Sequence, residues 1–115
     1  MAIFKFIEWL AVWLLETAQF DFEWDAGNRT KSAKKHGVST AEVEEVFALG
    51  QTAPLGLQTD PPVSEERLAI VGATAAGRVL HIVFTLRDGR VRPISARPAE
   101  KGERELYEEY IREVG

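Results

Sequence analysis

The chain has no cysteine, one methionine and only two histidines, His36 and His81, in 115 residues. Without thiols it can form no disulfide, no thiolate nucleophile and no cysteine metal site, and two imidazoles are too few for a histidine-rich centre. No metal and no cofactor is therefore expected. Long uncharged apolar runs are missing too. The amino-terminal stretch MAIFKFIEWLAVWLLETA is broken by Lys5, Glu8 and Glu16, so it falls short of the roughly 20 apolar residues of a membrane span. Glu16 also stands where cleavage after Ala18 would want a small residue. Neither a membrane anchor nor secretion is expected, which leaves the cytoplasm. A surplus of positive charge is likewise absent: 18 acidic against 14 basic residues give a net charge of -4, which argues against general affinity for nucleic acid.

What is present describes an ordinary folded domain. The hydrophobic share of 45% and charged share of 28% suit a single modest core. The two signs of charge are separated along the chain. Residues 78–97 hold five arginines (Arg78, Arg87, Arg90, Arg92 and Arg97) against Asp88 alone, and residues 29–36 add Arg29, Lys31, Lys34 and Lys35 with no acid. Glutamates gather instead at 42–45 and 100–113.

The span RDGRVRPISAR, residues 87–97, is the most informative. Asp88-Gly89 between two apolar runs signals a two-residue type I′ hairpin, because both residues tolerate positive φ. That loop length pairs Arg87 with Arg90, Leu86 with Val91, Thr85 with Arg92 and Phe84 with Pro93. Leu80, Ile82, Phe84 and Leu86 then share an apolar face with Val91 and Pro93, while His81, Thr85, Arg87, Arg90 and Arg92 share the other. A slip of one residue would drive Arg90 and Arg92 into the core, where unpaired cations are very costly. Such a cluster either pairs with the chain's many carboxylates or awaits a phosphate. Strict alternation puts Arg97 on the opposite face from Arg92, so a bulge or a strand end must intervene if both serve one site.

Elsewhere the pattern predicts helices and a meander. Residues 1–19 read as an apolar helix appended to a domain over 20–115. At about 100° per residue, its polar residues occupy one narrow wedge, and its apolar arc exceeds what a small domain can cover. The excess points to a partner face of Phe6, Trp9, Leu10, Trp13 and Leu14, serving a homodimer or another protein. Phe20, Phe22 and Trp24 alternate with acids as a short strand. A helix follows from about 28 to 36, capped by Asp25 or Asn28, with Gly37 as the left-handed C′ residue. Its terminal Lys34, Lys35 and His36 suit the helix dipole. Ser39 and Glu42 form a capping box, with Val38 stapled onto Val43. Pro54, Gly56, Pro61 and Pro62 make residues 51–64 a loop with an edge strand at most at 55–59. Strands at 67–72, 79–87 and 90–96 form the meander, and a last helix presents Leu106, Tyr107, Tyr110, Ile111 and Val114 on one face.

FEWDAGN at 22–28, KHGVS at 35–39, EVEEVF at 42–47, EERLAIVG at 65–72, GRVLHIVFTLR at 77–87 and RPISAR at 92–97, followed by Glu103, Arg104 and Tyr107, resemble the BrnT family of bacterial toxins. The resemblance runs in order from about residue 20 to 109. It implies an α+β, RelE-like fold: a small antiparallel sheet (the meander, about 67–97), two short helices before it and one after, here with the extra amino-terminal helix. It further implies a metal-independent endoribonuclease, the toxin of a type II toxin-antitoxin pair, neutralised by an antitoxin with a ribbon-helix-helix DNA-binding part.

Cleavage without a metal uses the RNA 2′-hydroxyl as nucleophile, and needs a base, an acid and cations around the phosphate. Arginine forks suit the cationic role. Arg87 and Arg92 match both the family and the polar face, with Arg67, Arg90 and Arg97 as further phosphate contacts. His36, Lys35 and Tyr107 are the proton-transfer candidates, followed by Glu103, since imidazole titrates near neutral pH. Against these roles stand plainer ones: His36 as a helix-end residue, Tyr107 as core, Trp24 as a buried strand aromatic. Ser32 and Gly102 depart from the family pattern, and Pro93 removes a ladder donor. The alternative is accordingly a non-cleaving member that uses its sheet and amino-terminal helix to hold a partner.

Overall fold

The computed structural model describes residues 2–114. In chain order these form β1 (Ile3–Lys5), α1 (Glu8–Glu16), α2 (Lys31–His36), α3 (Thr40–Leu49), β2 (Thr52–Asp60), β3 (Leu68–Ala73), β4 (Val79–Arg87), β5 (Arg90–Pro98) and α4 (Lys101–Val114). The five strands make one antiparallel sheet in the order β1-β2-β3-β4-β5. Its two faces have different fates. Leu68, Ile70, Leu80, Ile82, Phe84 and Val91 point to one side, where Leu10 of α1 and Val43, Val46 and Phe47 of α3 close the main core. Phe47 stands edge-on to Phe84 with ring centroids 5.3 Å apart. On the other side α4 covers only part of the sheet, laying Tyr107 over Ala53, Val71 and Ala99, with Tyr110 and Ile111 against the margin. Leu106 and Val114, expected on that buried stripe, are exposed.

The β4–β5 hairpin has the expected turn and register: Asp88 and Gly89 lie at φ 51 and 77, and Arg87, Leu86, Thr85 and Phe84 oppose Arg90, Val91, Arg92 and Pro93. Beyond Pro93 the register shifts by one residue, so Ser95 opposes Val83, Ala96 opposes Ile82 and Arg97 opposes His81. The extra residue is a β-bulge. It returns Ser95 and Arg97 to the face that carries Arg92, while Ala96 stays in the core.

Four expectations need correction. Residues 1–19 are not one helix. Ile3–Lys5 pair antiparallel with β2, and the helix runs only from Glu8 to Glu16. Residues 51–64 are not mainly loop, because Thr52–Asp60 is a full strand paired on both sides, with an irregularity between Pro54 and Gly56. An unpaired β2 edge would be an open hydrogen-bonding template, and β1, rich in branched and aromatic residues, covers it. Residues 20–24 form no strand of their own. The segment runs parallel to β5, with the Glu23 N–H donating to Val91 O and the Val91 N–H to Asp21 O, both at 2.8 Å. Finally, neither Asp25 nor Asn28 caps α2, whose N-cap is Thr30. Asp25 Oδ1 instead accepts from the Gly27 and Asn28 N–H groups, and the Asn28 amide donates to Glu23 O and Pro93 O, which ties this turn to β5.

The α1 partner face is also redistributed. Leu10 is fully buried in its own core, and Trp13 and Leu14 pack on that core from its margin. Phe6 and Trp9 remain outward, 57% and 46% exposed, and Val12 and Leu15 are exposed elsewhere on α1. The Gly37 cap and the Ser39–Glu42 capping box are as the sequence predicts. Among the described residues no helix is long and apolar enough to cross a membrane.

Gly56, at φ 136, sits under the β1 backbone, where an added Cβ would collide with the Lys5 carbonyl. Gly56→Ala should detach β1 and lower stability by about 1–3 kcal/mol. Urea unfolding measures the loss, and faster amide exchange at Phe4 and Lys5 with unchanged β4 protection would localise it.

Candidate functional site

Two groups of basic side chains occupy the sheet face that α4 leaves open, and their electrostatics differ. The first surrounds the hairpin. Arg87 donates to both Glu65 oxygens at 2.8 and 2.9 Å and lies 3.5 Å from Glu23. Arg92 reaches Asp25 at 2.8 Å and Glu23 at 3.1 Å, and Arg90 reaches Glu23 at 3.5 Å. Three guanidiniums thus meet three carboxylates, and the cluster is formally neutral. The hydrogen bond from Arg92 holds the Asp25 carboxyl below its ordinary range, and Arg87 does the same for Glu65. The same pairs raise the pKa values of both arginines. The expected outward cradle at the hairpin is therefore internally neutralised. Its geometry fastens the segment carrying Glu23 and Asp25 to β5.

The second group lies where the bulge redirects β5. Lys31, Ser32, Lys35 and His36 of α2 face Arg67, Ser95 and Arg97 across a hollow of about 400 Å³. A second hollow, about 430 Å³, adjoins it and shares Arg67, Ile94, Ser95 and Arg97. Phe4, Gln58, His81, Glu100 and Glu103 line it further. Arg67, just before β3, forms no ion pair among the described residues, and neither do Lys31 and Lys35. Arg97 is held bidentately by Glu103, both contacts 2.8 Å, which raises its pKa. Burial pushes the Glu103 carboxyl up, but hydrogen bonds from Arg97 and from the Glu100 N–H outweigh it and keep the carboxyl low.

Local structure fixes α2 against this groove. The Ser32 hydroxyl accepts from the Ala96 N–H at 2.9 Å, so the residue that departs from the family pattern carries a contact to β5. Arg78 donates to the carbonyls of Gly37 and His36 and to Glu42, which anchors the end of α2 beside the start of α3. Arg78, counted in the basic run, is thus a clamp between elements. Among the described residues no cluster of three or more His, Cys, Asp and Glu is placed to hold a metal ion.

The structure thus brings together Lys35, His36, Arg67 and Arg97, and places Arg87, Arg90 and Arg92 at the other end of the sheet face. Tyr107 belongs to neither group. It lies on the sheet-facing side of α4, 8% exposed, and burial pushes its phenol up. Trp24 donates its indole N–H to Glu44 at 2.7 Å and packs on the main core. Lys31, Ser95, Gln58 and Phe4 were not singled out from the sequence. For Lys31 the signal existed, since it is four residues before Lys35 and so shares its helix face.

The fold is that of a small α+β protein with an antiparallel five-stranded sheet, helices packed across one face and a basic groove on the other. The model of a known family, the ribonuclease toxin BrnT of type II toxin-antitoxin systems, matches residues 24–103. The chain belongs to this BrnT family. Among solved structures it is similar to the Brucella abortus ribonuclease toxin BrnT, at 20% identity and a TM-score of 0.51, over 72% of this chain and all of that one. No curated protein matches it. The family match begins after β1 and α1.

His81 reports on this end of the sheet. It is 4% exposed, with Nε2 3.5 Å from Glu103, and burial pushes its pKa below 6.5. The unfolded chain therefore binds this proton at a higher pH than the folded one, and the stability difference is lost as pH falls through 6.5. Thermal unfolding followed from pH 8 downward should show a falling midpoint from about this pH. His81→Gln should flatten the slope in that window.

Proposed function

We propose that this chain is an endoribonuclease toxin whose cleavage site is the groove between α2 and the bulged end of β5, not the hairpin. The observation that carries this is the convergence of Lys31, Lys35, His36, Arg67 and Arg97 on one hollow, with Lys31, Lys35 and Arg67 left without ion pairs among the described residues. In this scheme a base takes the proton of a 2′-hydroxyl, the 2′-oxygen bonds to phosphorus, and the bond to the 5′-oxygen breaks as that oxygen gains a proton. The products are a 2′,3′-cyclic phosphate and a 5′-hydroxyl, with no metal required. Arg67 neutralises the pentavalent phosphate, Lys31 and Lys35 hold the neighbouring backbone, Arg97, paired with Glu103, borders the site, and His36 moves the proton. Arg87 and Arg92 keep a structural task, the docking of residues 22–28.

Arg67→Ala and His36→Ala should each lower cleavage of single-stranded RNA by roughly 10²–10³-fold with the fold intact. Wild-type cleavage should persist with a chelator and leave cyclic phosphate ends. Arg92→Ala should lower the unfolding midpoint and retain cleavage in the cold. Full activity in both groove variants would remove the site from the groove. Inactivity of a still folded Arg92→Ala would return it to the hairpin.

One observation favours a second reading, the non-cleaving partner-binding module: the densest arginine cluster cannot grip an anion without breaking its own ion pairs. Intact total RNA at high protein concentration, together with tight capture of a partner, would decide for it. The family implies an antitoxin as partner, here proposed to carry a ribbon-helix-helix part. We assign the outward Phe6 and Trp9 of the amino-terminal segment to a protein contact, with the antitoxin or a second copy. Sedimentation of the full chain at high concentration should show self-association that Trp9→Glu abolishes. A wild type that stays monomeric would leave the antitoxin as occupant.

A further inference from the structure

We infer that the hollow roofed by the amino-terminal strand β1 is a nucleobase pocket that takes guanine from the RNA strand lying in the neighbouring groove. The inference rests on the groove being the RNA site. Its volume, about 430 Å³, falls in the range of small-molecule sites. It opens directly onto the phosphate groove through Arg67, Ser95 and Arg97, which line both hollows. A nucleotide whose phosphate sits between Arg67 and Arg97 therefore has room beside it for its own base.

The walls carry what base recognition needs. Phe4, opposite Gln58 in the β1–β2 pairing, sets its ring edge-on to His81 with centroids 5.8 Å apart. Proteins read single-stranded RNA by stacking unstacked bases on such rings and bonding to their edges. Gln58, which lines the hollow, is 9% exposed and donates its amide N–H to Pro61 O at 2.9 Å, while its carbonyl accepts no hydrogen bond among the described residues. His81, more than nine-tenths buried, has a ring Nδ1 that meets no partner among the described residues. A buried polar atom without a partner is costly; that nitrogen is enclosed, and His81 borders the hollow through the ring that meets Phe4. Glu100 adds an exposed carboxylate at the rim.

The balance of donors and acceptors selects the base. Arg67 carries five N–H donors, so the edge not turned to the phosphate offers a fork to the base, and Glu100 and the Gln58 carbonyl offer acceptors. Guanine presents acceptors at O6 and N7 and donors at N1 and N2, so one base satisfies both sets. Adenine lacks the acceptor at O6, and pyrimidines lack the N7 partner of a bidentate arginine. Phe4 lies outside the segment that the family model matches, residues 24–103. The wall that Phe4 supplies thus comes from outside the family-matched segment.

The test uses the full-length protein and short single-stranded RNAs carrying 2′-O-methyl groups, which bind but cannot be cut. One position holds guanine, adenine, uracil or an abasic residue, and binding is read by fluorescence anisotropy. Guanine should bind best, and the abasic strand should bind roughly tenfold or more weakly. Phe4→Ala should reduce the guanine strand to the abasic level and leave the abasic strand unchanged, and Phe4→Leu, which keeps apolar bulk without a π face, should behave like Phe4→Ala. Equal binding of guanine and abasic strands by the wild type, or an undiminished preference in both Phe4 variants, overturns the pocket. Because cleavage plays no part in this readout, guanine-selective binding by a protein that cuts no RNA would keep the pocket and reject the nuclease. Cutting without base preference would do the reverse.

Discussion

The register of β5 against β4 is the constraint on which the rest of the molecule depends. The Asp88-Gly89 turn fixes the first four pairs, and those pairs send Val91 into the core while Arg92 stays out. Continued strict alternation would then place Arg97 in the core, where an unpaired guanidinium is not tolerated. One inserted residue after Pro93 resolves the conflict: Ala96 fills the core position and Ser95 and Arg97 cross to the open face. The Asn28 amide bonds to the Pro93 carbonyl at the site of the shift, and Ser32 bonds to the Ala96 N–H just beyond it. The bulge is therefore held from outside the sheet by the turn before α2 and by α2 itself. The groove and the helix that forms its other wall come from the same device.

Charge on the open face is arranged by which carboxylates can reach it. Residues 20–24 run along the edge of β5 and carry Glu23 into the middle of the hairpin arginines, where it contacts all three. Among the described residues no carboxylate pairs with the lysines of α2. The first turn of α4 brings Glu103 only as far as Arg97 and His81. An acidic protein can in this way keep one basic groove. Its net charge of -4 says little about a local surface in which a polyanion would meet Lys31, Lys35 and Arg67 before any carboxylate. Arg97 differs from these three, because Glu103 already holds its fork and it could grip a phosphate only by giving up that pair.

The hairpin, the meander, the capping box and the α4 stripe around Tyr107 were legible in the sequence, because each is fixed by local spacing: a two-residue turn, a period of two, a Ser-x-x-Glu, a period near 3.6. What was not legible depended on partners far along the chain. The prolines and glycine of residues 52–60 argue for loop, yet β1 and β3 pair with both edges of that strand and override local propensity. Ile3–Lys5 look helical beside Trp9 and Leu10, and become a strand because an open sheet edge is available. Alternation put the arginines of the hairpin on one face but carried no information about Glu65, which lies 22 residues away and neutralises Arg87. The likeness of the blocks between 22 and 109 to a toxin family supplied His36, Lys35, Arg67 and Arg97 as candidates. Only the fold shows that these four share a groove and that Arg87 and Arg92 stand apart from it.

The amino-terminal segment follows from the same geometry. A sheet that ended at β2 would expose the row of donors and acceptors along Thr52–Asp60, and a toxin domain with such an edge would be prone to pair with other chains. Three residues of β1 cover its Leu57–Asp60 end, and the close approach they need is made at Gly56, where no side chain stands in the way. Once β1 is placed, the chain must cross to the opposite face of the sheet, where Leu10 fills the core beside Phe47 and Phe84. That crossing leaves Phe6 and Trp9 on the outside and Phe4 over His81 on the open face. Edge protection, core filling, an apolar outer surface and a wall for the groove are thus consequences of one short strand followed by one short helix.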